Sequence, residues 1–343
     1  MSIQFRMVVL SILCTFSMIL AVAVFAEAAS SSAMIKITGK VKNELDWSIE
    51  DLKAFQSINT QRNDITSDRT FNGNFYFRGV PLRTLLESAG IDKTGASFNK
   101  PIDMAIRIKN NSTSAALSWG EIFYRDSGTV IIAYAGTPIL PHHGCTDCHT
   151  PDQIEPIMAR YHRTVEFPRL VITTDQYSDR CLEGITEIEV IQTHMKINPE
   201  EPEHLYSSKF SVIRADQTKQ EFEDLSGVAD FYTAPSSYTV GEGKGFHGFQ
   251  TFSGYKLVDV LAQANIDRDL DSVFMVSAPD NYRAVFSYGE IYLKPDGQRI
   301  MLATEENGNP LEKGGKYYLI VPEDLMADRW IKAVDTIRKI SLE

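Results

Sequence analysis

Five residues in the middle of the chain combine two thiols with an imidazole. Cys145 and Cys148 are separated by two residues, and His149 follows directly. Two thiols at this spacing can add across the two vinyl groups of a haem, after which the adjacent histidine presents its imidazole to the iron. The motif therefore predicts a covalently attached haem c, with Cys145 and Cys148 as thioether links and His149 as the proximal iron ligand.

A pattern of five residues also fits simpler chemistry. Cys145 and Cys148 could form a redox disulfide, or they could hold zinc together with His149 and either His142 or His143. In both cases the segment would be a staple, and the chain would be a non-catalytic binding or interaction module. A mature mass without haem would favour these alternatives.

A haem iron on His149 either takes a second axial ligand or keeps that position open. Met158 and His162 follow within a few residues, and Pro156 interrupts the helix that would otherwise begin near Thr150, so both side chains stay within reach. We favour His162 as the distal ligand. Met158 is the alternative, and a methionine would raise the reduction potential relative to a second histidine.

The N-terminal segment has the pattern of an export signal. Arg6 is its only early charge, residues 7–25 carry none, and small residues follow up to Ala29. We expect a signal peptide over residues 1–28 and a periplasmic protein that is soluble after cleavage. Membrane anchoring by residues 7–25 is the alternative, because this apolar run is nearly long enough to span a bilayer.

Composition limits the partners that the chain can have. Its 343 residues carry a formal net charge of -11, which argues against nucleic acid or an anionic membrane surface as the main partner. With a haem, the expected partner is another redox protein or a membrane quinol complex. The length is more than one ordinary domain needs and suits two.

The sequence repeats itself. The segment from Phe77 to Asp92 is matched 175 residues later by the segment from Phe252 to Asp267. Three further matches follow in the same order at offsets of 169, 172 and 149: Trp119–Phe123 with Tyr288–Tyr292, Gly136–Pro138 with Gly308–Pro310, and Asp179–Cys181 with Asp328–Trp330. The drop in offset from 172 to 149 indicates 23 extra residues in the first copy.

These offsets predict the domain organisation. We expect a first domain over residues 34–193, an insertion over 140–167 that carries the Cys-x-x-Cys-His motif, a linker over 194–205, and a second domain over 206–343. The recurring pairs Asp179-Arg180 and Asp328-Arg329 predict a structural ion pair or turn in each copy.

Local signals within each copy predict strands and short helices, and therefore an α+β fold. Ser48 to Leu52 reads as the start of a capped helix, and Pro81 to Ala89 as a helix that stops at Gly90. Residues rich in β-branched side chains, such as Val130 to Tyr134 and Leu170 to Thr173, predict strands.

The order of these signals resembles the molybdopterin-binding domain of the sulfite oxidase family. The matching residues are Gly39-Lys-Val41, Glu50-Asp51-Leu52, Phe77-Arg-Gly79-Val80-Pro81-Leu82, Gly136-Thr-Pro138-Ile139, Pro168-Arg169-Leu170-Val171, Gly308-Asn-Pro310-Leu311 and Arg329-Trp330-Ile-Lys332. The resemblance implies two tandem domains of mixed sheet and short helices, and it raises molybdopterin as a cofactor.

One departure from this family bears on function. In the family a cysteine thiolate ligates molybdenum, and it falls between the early helix and the aromatic-Gly segment. Neither Lys53 to Phe77 nor Ser226 to Phe252 contains a cysteine, and Cys181 comes too late in the chain. Sulfite oxidase activity is therefore not expected, although the fold is that of an oxidoreductase.

Together these observations predict an exported c-type haem electron-transfer protein on a molybdopterin-oxidoreductase-like scaffold. A pterin-dependent oxidoreductase with unusual ligands is the alternative on the same fold, and the residues give molybdopterin itself no support.

Overall fold

A computed structural model describes residues 33–139, 163–193, 205–241 and 245–342, together with the single positions 152 and 159. The predicted signal peptide and the predicted haem-site residues Cys145, Cys148, His149, Met158 and His162 lie outside these described residues. Strands dominate, as part of the predicted α+β fold, and no α-helix in the described ranges exceeds eight residues. None of those helices is both long and apolar enough to cross a bilayer.

The elements before residue 194 form what we call the N-terminal half. They are β1 (Met34–Gly39), β2 (Leu45–Ser48), α1 (Ile49–Lys53), β3 (Ile58–Ile65), β4 (Phe71–Pro81), α2 (Leu82–Ala89), β5 (Met104–Lys109), β6 (Ser114–Ser118), α3 (Trp119–Phe123), β7 (Val130–Pro138), β8 (Arg169–Ile172) and β9 (Glu187–Gln192).

The elements from residue 205 onward form the C-terminal half. They are β10 (Phe210–Ile213), β11 (Lys219–Phe222), β12 (Phe231–Thr233), β13 (Ser237–Gly241), β14 (Gly245–Gln250), β15 (Phe252–Lys256), α4 (Leu257–Gln263), β16 (Ser272–Ser277), β17 (Arg283–Ser287), α5 (Tyr288–Tyr292), β18 (Met301–Glu306), β19 (Asn309–Pro310), β20 (Tyr318–Ile320) and β21 (Thr336–Ser341).

Each half contains a five-stranded mixed sheet with the same pattern of pairing. The N-terminal order is β2-β1-β9-β5-β6 and the C-terminal order is β11-β10-β21-β16-β17. In both sheets the last strand of the half pairs parallel with the first, as β9 with β1 and β21 with β10. The remaining pairs are antiparallel.

Each half also contains a second, antiparallel sheet. In the N-terminal half the order is β3-β4-β7-β8, and in the C-terminal half it is β12-β15-β18-β19, with β20 also paired to β18. A β-bulge interrupts β4 at Gly79 and β15 at Gly254. A side chain at either glycine would collide with the facing backbone, since an added Cβ would lie 2.3 Å from the Ile132 oxygen or 2.2 Å from the Leu302 oxygen.

Short helices follow strands where the sequence supplies a cap. Ser48 caps α1 and accepts from the Asp51 N–H, while the Asp51 carboxylate accepts from the Ser48 N–H, as the predicted capping box requires. The helix predicted from Pro81 begins at Leu82 and stops at Gly90, whose φ of 70° is left-handed. Its buried face carries Leu82, Leu85, Leu86 and Ala89.

Apolar packing forms a separate core in each half and a smaller contact between them. Ile35, Ile106 and Leu170 belong to the N-terminal core, whereas Phe274 and Leu302 belong to the C-terminal core. Between the two five-stranded sheets lie small and medium side chains from both halves: Ala105, Ala116, Val273, Met275, Val285 and Leu342. Burial of these faces ties the halves together through the hydrophobic effect.

A buried arginine crosses this contact from each side. Arg180 of the N-terminal half is fully buried and binds Asp175 through Nε at 2.8 Å and Nη2 at 2.7 Å. Its Nη1 also contacts Glu121 at 3.1 Å and donates to Ser287 Oγ of the C-terminal half at 3.0 Å. Lys294 of the C-terminal half completes the cluster, 3.0 Å from Glu121.

Arg329 of the C-terminal half makes the equivalent contacts. Arg329 binds Asp324 and Glu290 within its own half, at 2.6 and 2.7 Å. Its Nη1 donates to Ser118 Oγ of the N-terminal half at 3.2 Å, and that hydroxyl donates to Glu290 at 2.7 Å. Arg180 and Arg329 are thus structural, as their recurrence predicted, but they pair with Asp175, Glu121, Asp324 and Glu290, whereas Asp179 pairs with Arg268 and Asp328 with Lys100.

Two glycines make room for these guanidinium groups. An added Cβ at Gly289 would lie 2.1 Å from Arg180 Nε, and one at Gly120 would lie 2.3 Å from Arg329 Nε. Each glycine lies two residues after a capping serine, Gly120 after Ser118 and Gly289 after Ser287. Each capped helix therefore has a residue without a side chain at the point where the arginine of the other half packs against it.

We expect Gly289→Ala to destabilise the protein by about 3 kcal/mol or more, because Arg180 is fixed by two carboxylates and cannot yield to the added methyl group. Chemical denaturation measures the loss. Gly128→Ala is the control, since its nearest neighbours are the side-chain ends of Asp126 and Ile58, and it should cost less than about 1 kcal/mol. Equal losses in the two variants would contradict the packing described for Arg180.

Glu121→Gln tests the electrostatics of the same cluster. Burial alone would raise the pKa of Glu121, but Arg180 and Lys294, with hydrogen bonds from Arg180 and Ser287, outweigh burial and hold this pKa well below its ordinary value. The ionised carboxylate therefore stabilises the fold above about pH 4.5, and this contribution is lost as the pH falls below that value.

We expect Glu121→Gln to lower the free energy of unfolding by about 3–5 kcal/mol at neutral pH. Its stability should also fall less steeply than that of the wild type between about pH 5 and pH 3, since the titrating group is gone. The exposed pair of Glu50 with Lys53 supplies the control, because Glu50→Gln should change stability by less than about 1 kcal/mol. A wild-type pH profile in Glu121→Gln would contradict the assignment.

Candidate functional site

The predicted haem motif belongs to the connection between two paired strands. β7 and β8 are antiparallel neighbours, with Ala133 opposite Arg169, and residues 139–168 join them. Their counterparts in the C-terminal half, β18 and β20, are joined by residues 307–317. Within this connection the structure describes Ile139 and residues 163–168, together with the single positions 152 and 159.

A cluster of charged side chains lies where this connection returns to the sheet. Arg163 and Arg169 form ion pairs there with two carboxylates, Asp64 and Glu183, and Arg62 lies two positions before Asp64 on β3. We call this group the arginine cluster. Cys181 lies beside it, since its Sγ accepts from the N–H of Ile172, and Arg62 donates to the carbonyl of the same residue.

Arg62 on β3 is the most unusual member. The residue is 6% exposed, and its Nη1 donates to two backbone carbonyls, those of Ile172 and Asp175, the latter at 2.9 Å. Its Nε and Nη2 have no hydrogen-bond partner. No carboxylate forms an ion pair with this guanidinium among the described residues, so a buried positive charge is held by carbonyl dipoles alone.

Arg169 on β8 is buried still more deeply, at 2% exposure. Its Nη2 donates to Asp64 at 2.9 Å, and its guanidinium lies over the Phe77 ring at 5.0 Å from the ring centre. Nη1 is 3.1 Å from a Glu183 oxygen, but the geometry of that ion pair is not that of a hydrogen bond. Nε also has no hydrogen-bond partner.

Arg163 and Glu183 form the outer side of the cluster. Their side chains are 30% and 21% exposed, and Arg163 donates from Nη2 to Glu183. Its Nη1 is 3.6 Å from Asp64. Since Arg62 and Asp64 are almost completely buried, the arginine cluster runs from solvent at Arg163 to the protein interior at Arg62.

Cys181 is a buried, free thiol. Burial raises its pKa, and this effect outweighs the opposing influence of Arg62 and Arg169. Its Sγ accepts from the Ile172 N–H at 3.5 Å. Cys181 therefore remains protonated at neutral pH, and it is poorly suited to act as a nucleophile or as a metal ligand.

The charges of the arginine cluster do not balance. Three guanidinium groups face two carboxylates, and the excess positive charge is at Arg62, which is almost completely buried and forms no ion pair within the described residues. Arginine offers five N–H donors in a fixed fork, which matches the two oxygens of a carboxylate or a tetrahedral oxyanion. Chemically the arrangement suits anion binding. It does not suit metal binding, since the described residues contain no group of three side chains that could hold a metal ion.

The equivalent place in the C-terminal half is built differently. Tyr318 lies opposite Ala303, in the position that Arg169 has opposite Ala133 in the N-terminal half. Trp330 directly precedes Ile331, which forms a β-bridge with Leu319. In the same way, Cys181 directly precedes Leu182, whose oxygen accepts from the Leu170 N–H. Here a cavity of about 190 Å³ is lined by Trp330 and His247, together with Phe252, Gln250, Thr239 and Glu306. His247 Nε2 is hydrogen-bonded to the Gly241 oxygen at 2.6 Å.

The sequence alone did not reveal the arginine cluster. Arg169 appeared there only as part of a family-like segment, and β3 carries polar residues at all its interior positions from Asn59 to Asp64. An alternation of polar and apolar residues would have shown which face of β3 is buried. The one usable signal was the pair Arg62 and Asp64, two positions apart and of opposite charge.

The described residues do not fit a thiolate-ligated molybdenum. β3 and the start of β4 are the stretch in which the family places its cysteine, and they contribute Arg62 and Asp64 to the interior instead. A guanidinium repels a metal cation, and the thiol of Cys181 is buried and protonated. In the C-terminal half, β12 to β15 contain no cysteine either.

A match to a protein family indicates what kind of scaffold the first part of the chain forms. Residues 23–146 match the family model of the oxidoreductase molybdopterin binding domain. The sulfane dehydrogenase SoxCD from Paracoccus pantotrophus is a similar solved structure, at 12% sequence identity and a TM-score of 0.32, over 92% of this chain and 79% of that chain. No curated protein matches the sequence. The first part of the chain thus supports a molybdopterin-oxidoreductase-like scaffold, and the described residues are mostly β-sheet with few short helices.

Proposed function

We propose that this chain is an exported electron-transfer protein that carries one c-type haem on a molybdopterin-oxidoreductase-like scaffold of two tandem domains. Cys145 and Cys148 would bind the haem through thioether bonds, and His149 would be the proximal ligand of the iron. The haem would supply a one-electron redox centre. The protein's contribution would be to hold it at a fixed place and to shield it from solvent.

The observation that carries this proposal is the place of the motif. Cys145, Cys148 and His149 all fall within residues 139–168, which join two strands that already pair with each other. The equivalent strands in the C-terminal half need only residues 307–317 to make the same connection. A segment added at such a point leaves the sheet intact, so its residues are free to serve a function other than folding.

The remaining features are consistent with export and with a protein partner. The uncharged run over residues 7–25 and the small residues after it suit a signal peptide and a periplasmic location. A net charge of -11 favours a partner with a basic surface, such as a soluble redox protein or the exposed part of a membrane quinol complex. The same negative charge argues against nucleic acid as a partner.

A second candidate is a pterin-dependent oxidoreductase with an unusual ligand set. The family match over residues 23–146 favours it, while the absence of a cysteine from residues 33–139 speaks against it. Elemental analysis of protein from its native host separates the two candidates, because molybdenum would support the enzyme and iron the haem protein. Zinc, or a mass change on reduction, would instead support the stapled binding module.

We expect Cys148→Ala to lose covalent attachment of the haem when the protein is produced together with a haem-maturation system. Intact mass and visible absorbance measure the loss. Cys181→Ala is the matched control, because it removes a buried thiol that lies outside the motif, and it should retain the haem. Wild-type absorbance in Cys148→Ala, or no Soret band in the wild type, would contradict the proposal.

The distal ligand is tested by a pair of substitutions. With His162 as ligand, His162→Ala opens the sixth coordination position, so that the reduced protein binds carbon monoxide, and Met158→Ala leaves the spectrum unchanged. If Met158 is the ligand, the Met158→Ala variant binds carbon monoxide and the His162→Ala variant keeps the wild-type spectrum. The wild type should then have the higher reduction potential that methionine ligation gives. Unchanged spectra in both variants would exclude both residues.

A further inference from the structure

We infer that the arginine cluster is an oxyanion-binding site, in which Arg62 and Arg169 hold the anion and Arg163 stands at the entrance. All three residues lie in the described part of the chain, so this inference does not depend on the proposed haem. Its basis is the set of guanidinium N–H groups that the fold buries without a partner.

Arg62 presents its whole bidentate edge to the site. Nε and Nη2 lie on the same side of a guanidinium and form the fork that grips two oxygens of one anion. In Arg62 both atoms are buried and without a hydrogen bond, while Nη1 is fully used by the carbonyls of Ile172 and Asp175. The two carbonyl contacts therefore fix the orientation of the fork and leave it open.

Neighbouring arginines extend the donor set. Nε and Nη1 of Arg169 and Nη1 of Arg163 are buried as well and have no hydrogen bond. Two of these atoms still have an ion pair, since Arg169 Nη1 lies 3.1 Å from Glu183 and Arg163 Nη1 lies 3.6 Å from Asp64. Nε and Nη2 of Arg62 and Nε of Arg169 have neither a hydrogen bond nor an ion pair within the described residues. Native proteins satisfy the great majority of their buried polar groups, so these three nitrogens point to a further partner. That partner must be an acceptor for several donors at once, and it must be negative to balance the excess charge at Arg62.

Among the described residues, the neighbouring acceptors do not fill this role. Asp64 is already bound by Arg169, and Glu183 by Arg163, which leaves Arg62 without a carboxylate. The Asp175 carboxylate is held by Arg180 at 2.7 Å. Cys181 would be a counter-ion only as a thiolate, and burial raises its pKa instead.

The shape of the cluster also allows entry. Arg163 and Glu183, at 30% and 21% side-chain exposure, form its outer side, and their ion pair is the contact that an arriving anion would exchange. The anion would be gripped by the Nε and Nη2 fork of Arg62, with Nε of Arg169 as a further donor, since Nη2 of Arg169 stays on Asp64. A bidentate arginine contact is typical of carboxylate, sulfate and phosphate sites.

Two sources could supply an oxyanion here. One is a free inorganic oxyanion from solution. The other is a carboxylate group of a haem attached at Cys145 and Cys148, since haem carries two propionates. The chemistry of recognition is the same for both, and the experiment separates them.

The test uses the full chain with haem attachment blocked by Cys145→Ala and Cys148→Ala. Sodium sulfate and sodium propionate are titrated by calorimetry at constant ionic strength maintained with chloride. Saturable binding of at least one of the two anions is expected. Adding Arg62→Gln should weaken it roughly tenfold to hundredfold, because a charge-assisted bidentate contact is lost.

Arg78→Gln in the same background is the matched control. Arg78 lies on the neighbouring strand β4 with its side chain exposed. Its substitution removes the same charge outside the cluster, so the affinity for the two anions should not change. Arg62→Lys keeps the charge but not the fork, and it should also bind weakly while folding as the parent does. No saturable binding, or equal affinity in the Arg62→Gln, Arg62→Lys and parent proteins, would overturn the inference.

The haem-loaded wild type then identifies the source. If a propionate of the haem occupies the arginine cluster, the loaded protein takes up neither anion while the blocked variant does. Equal binding by both proteins assigns the site to a free oxyanion. A wild type that carries no haem would contradict the proposed function, yet the titration of the blocked variant would still decide whether the arginine cluster binds anions.

Discussion

The contact that the rest of the structure depends on is the exchange of two buried arginines between the halves. Arg180 binds two carboxylates of its own half and then donates to the capping serine of the other, and Arg329 does the same in return. Burying a guanidinium is costly unless its donors are met and its charge is balanced. The carboxylates that balance each charge lie in the arginine's own half, and the hydrogen bond from each arginine to the capping serine of the other half links the two halves.

This constraint reaches the arginine cluster through a few residues. Asp175 binds Arg180 with its carboxylate and Arg62 with its backbone oxygen, so the network between the halves also fixes one side of the cluster. Cys181 directly follows Arg180 and packs beside Arg62 and Arg169. The ion pair of Asp175 with Arg180 therefore helps to fix the position of Arg62, although Arg180 itself is not part of the arginine cluster. In the C-terminal half the same position, after Arg329, carries Trp330 and borders a cavity.

Local features were predictable from the sequence, and pairings across the chain were not. The Ser48 cap, the helix after Pro81 and the strands β7 and β8 depend on neighbouring residues, and they were predicted to within a few positions. A structural role for Arg180 and Arg329 followed from their recurrence, but their reach into the opposite half depends on tertiary packing. Arg62 was missed because no apolar alternation in β3 shows which of its polar side chains face inward.

The haem proposal rests on residues that a spectrum and a mass can examine directly. The most direct measurement is the intact mass and visible spectrum of the protein purified from its native host. We predict the mass of the chain without residues 1–28, increased by one covalently bound haem, and a Soret band that remains after denaturation. A mass equal to that of the bare polypeptide, with no visible absorbance, would contradict the account.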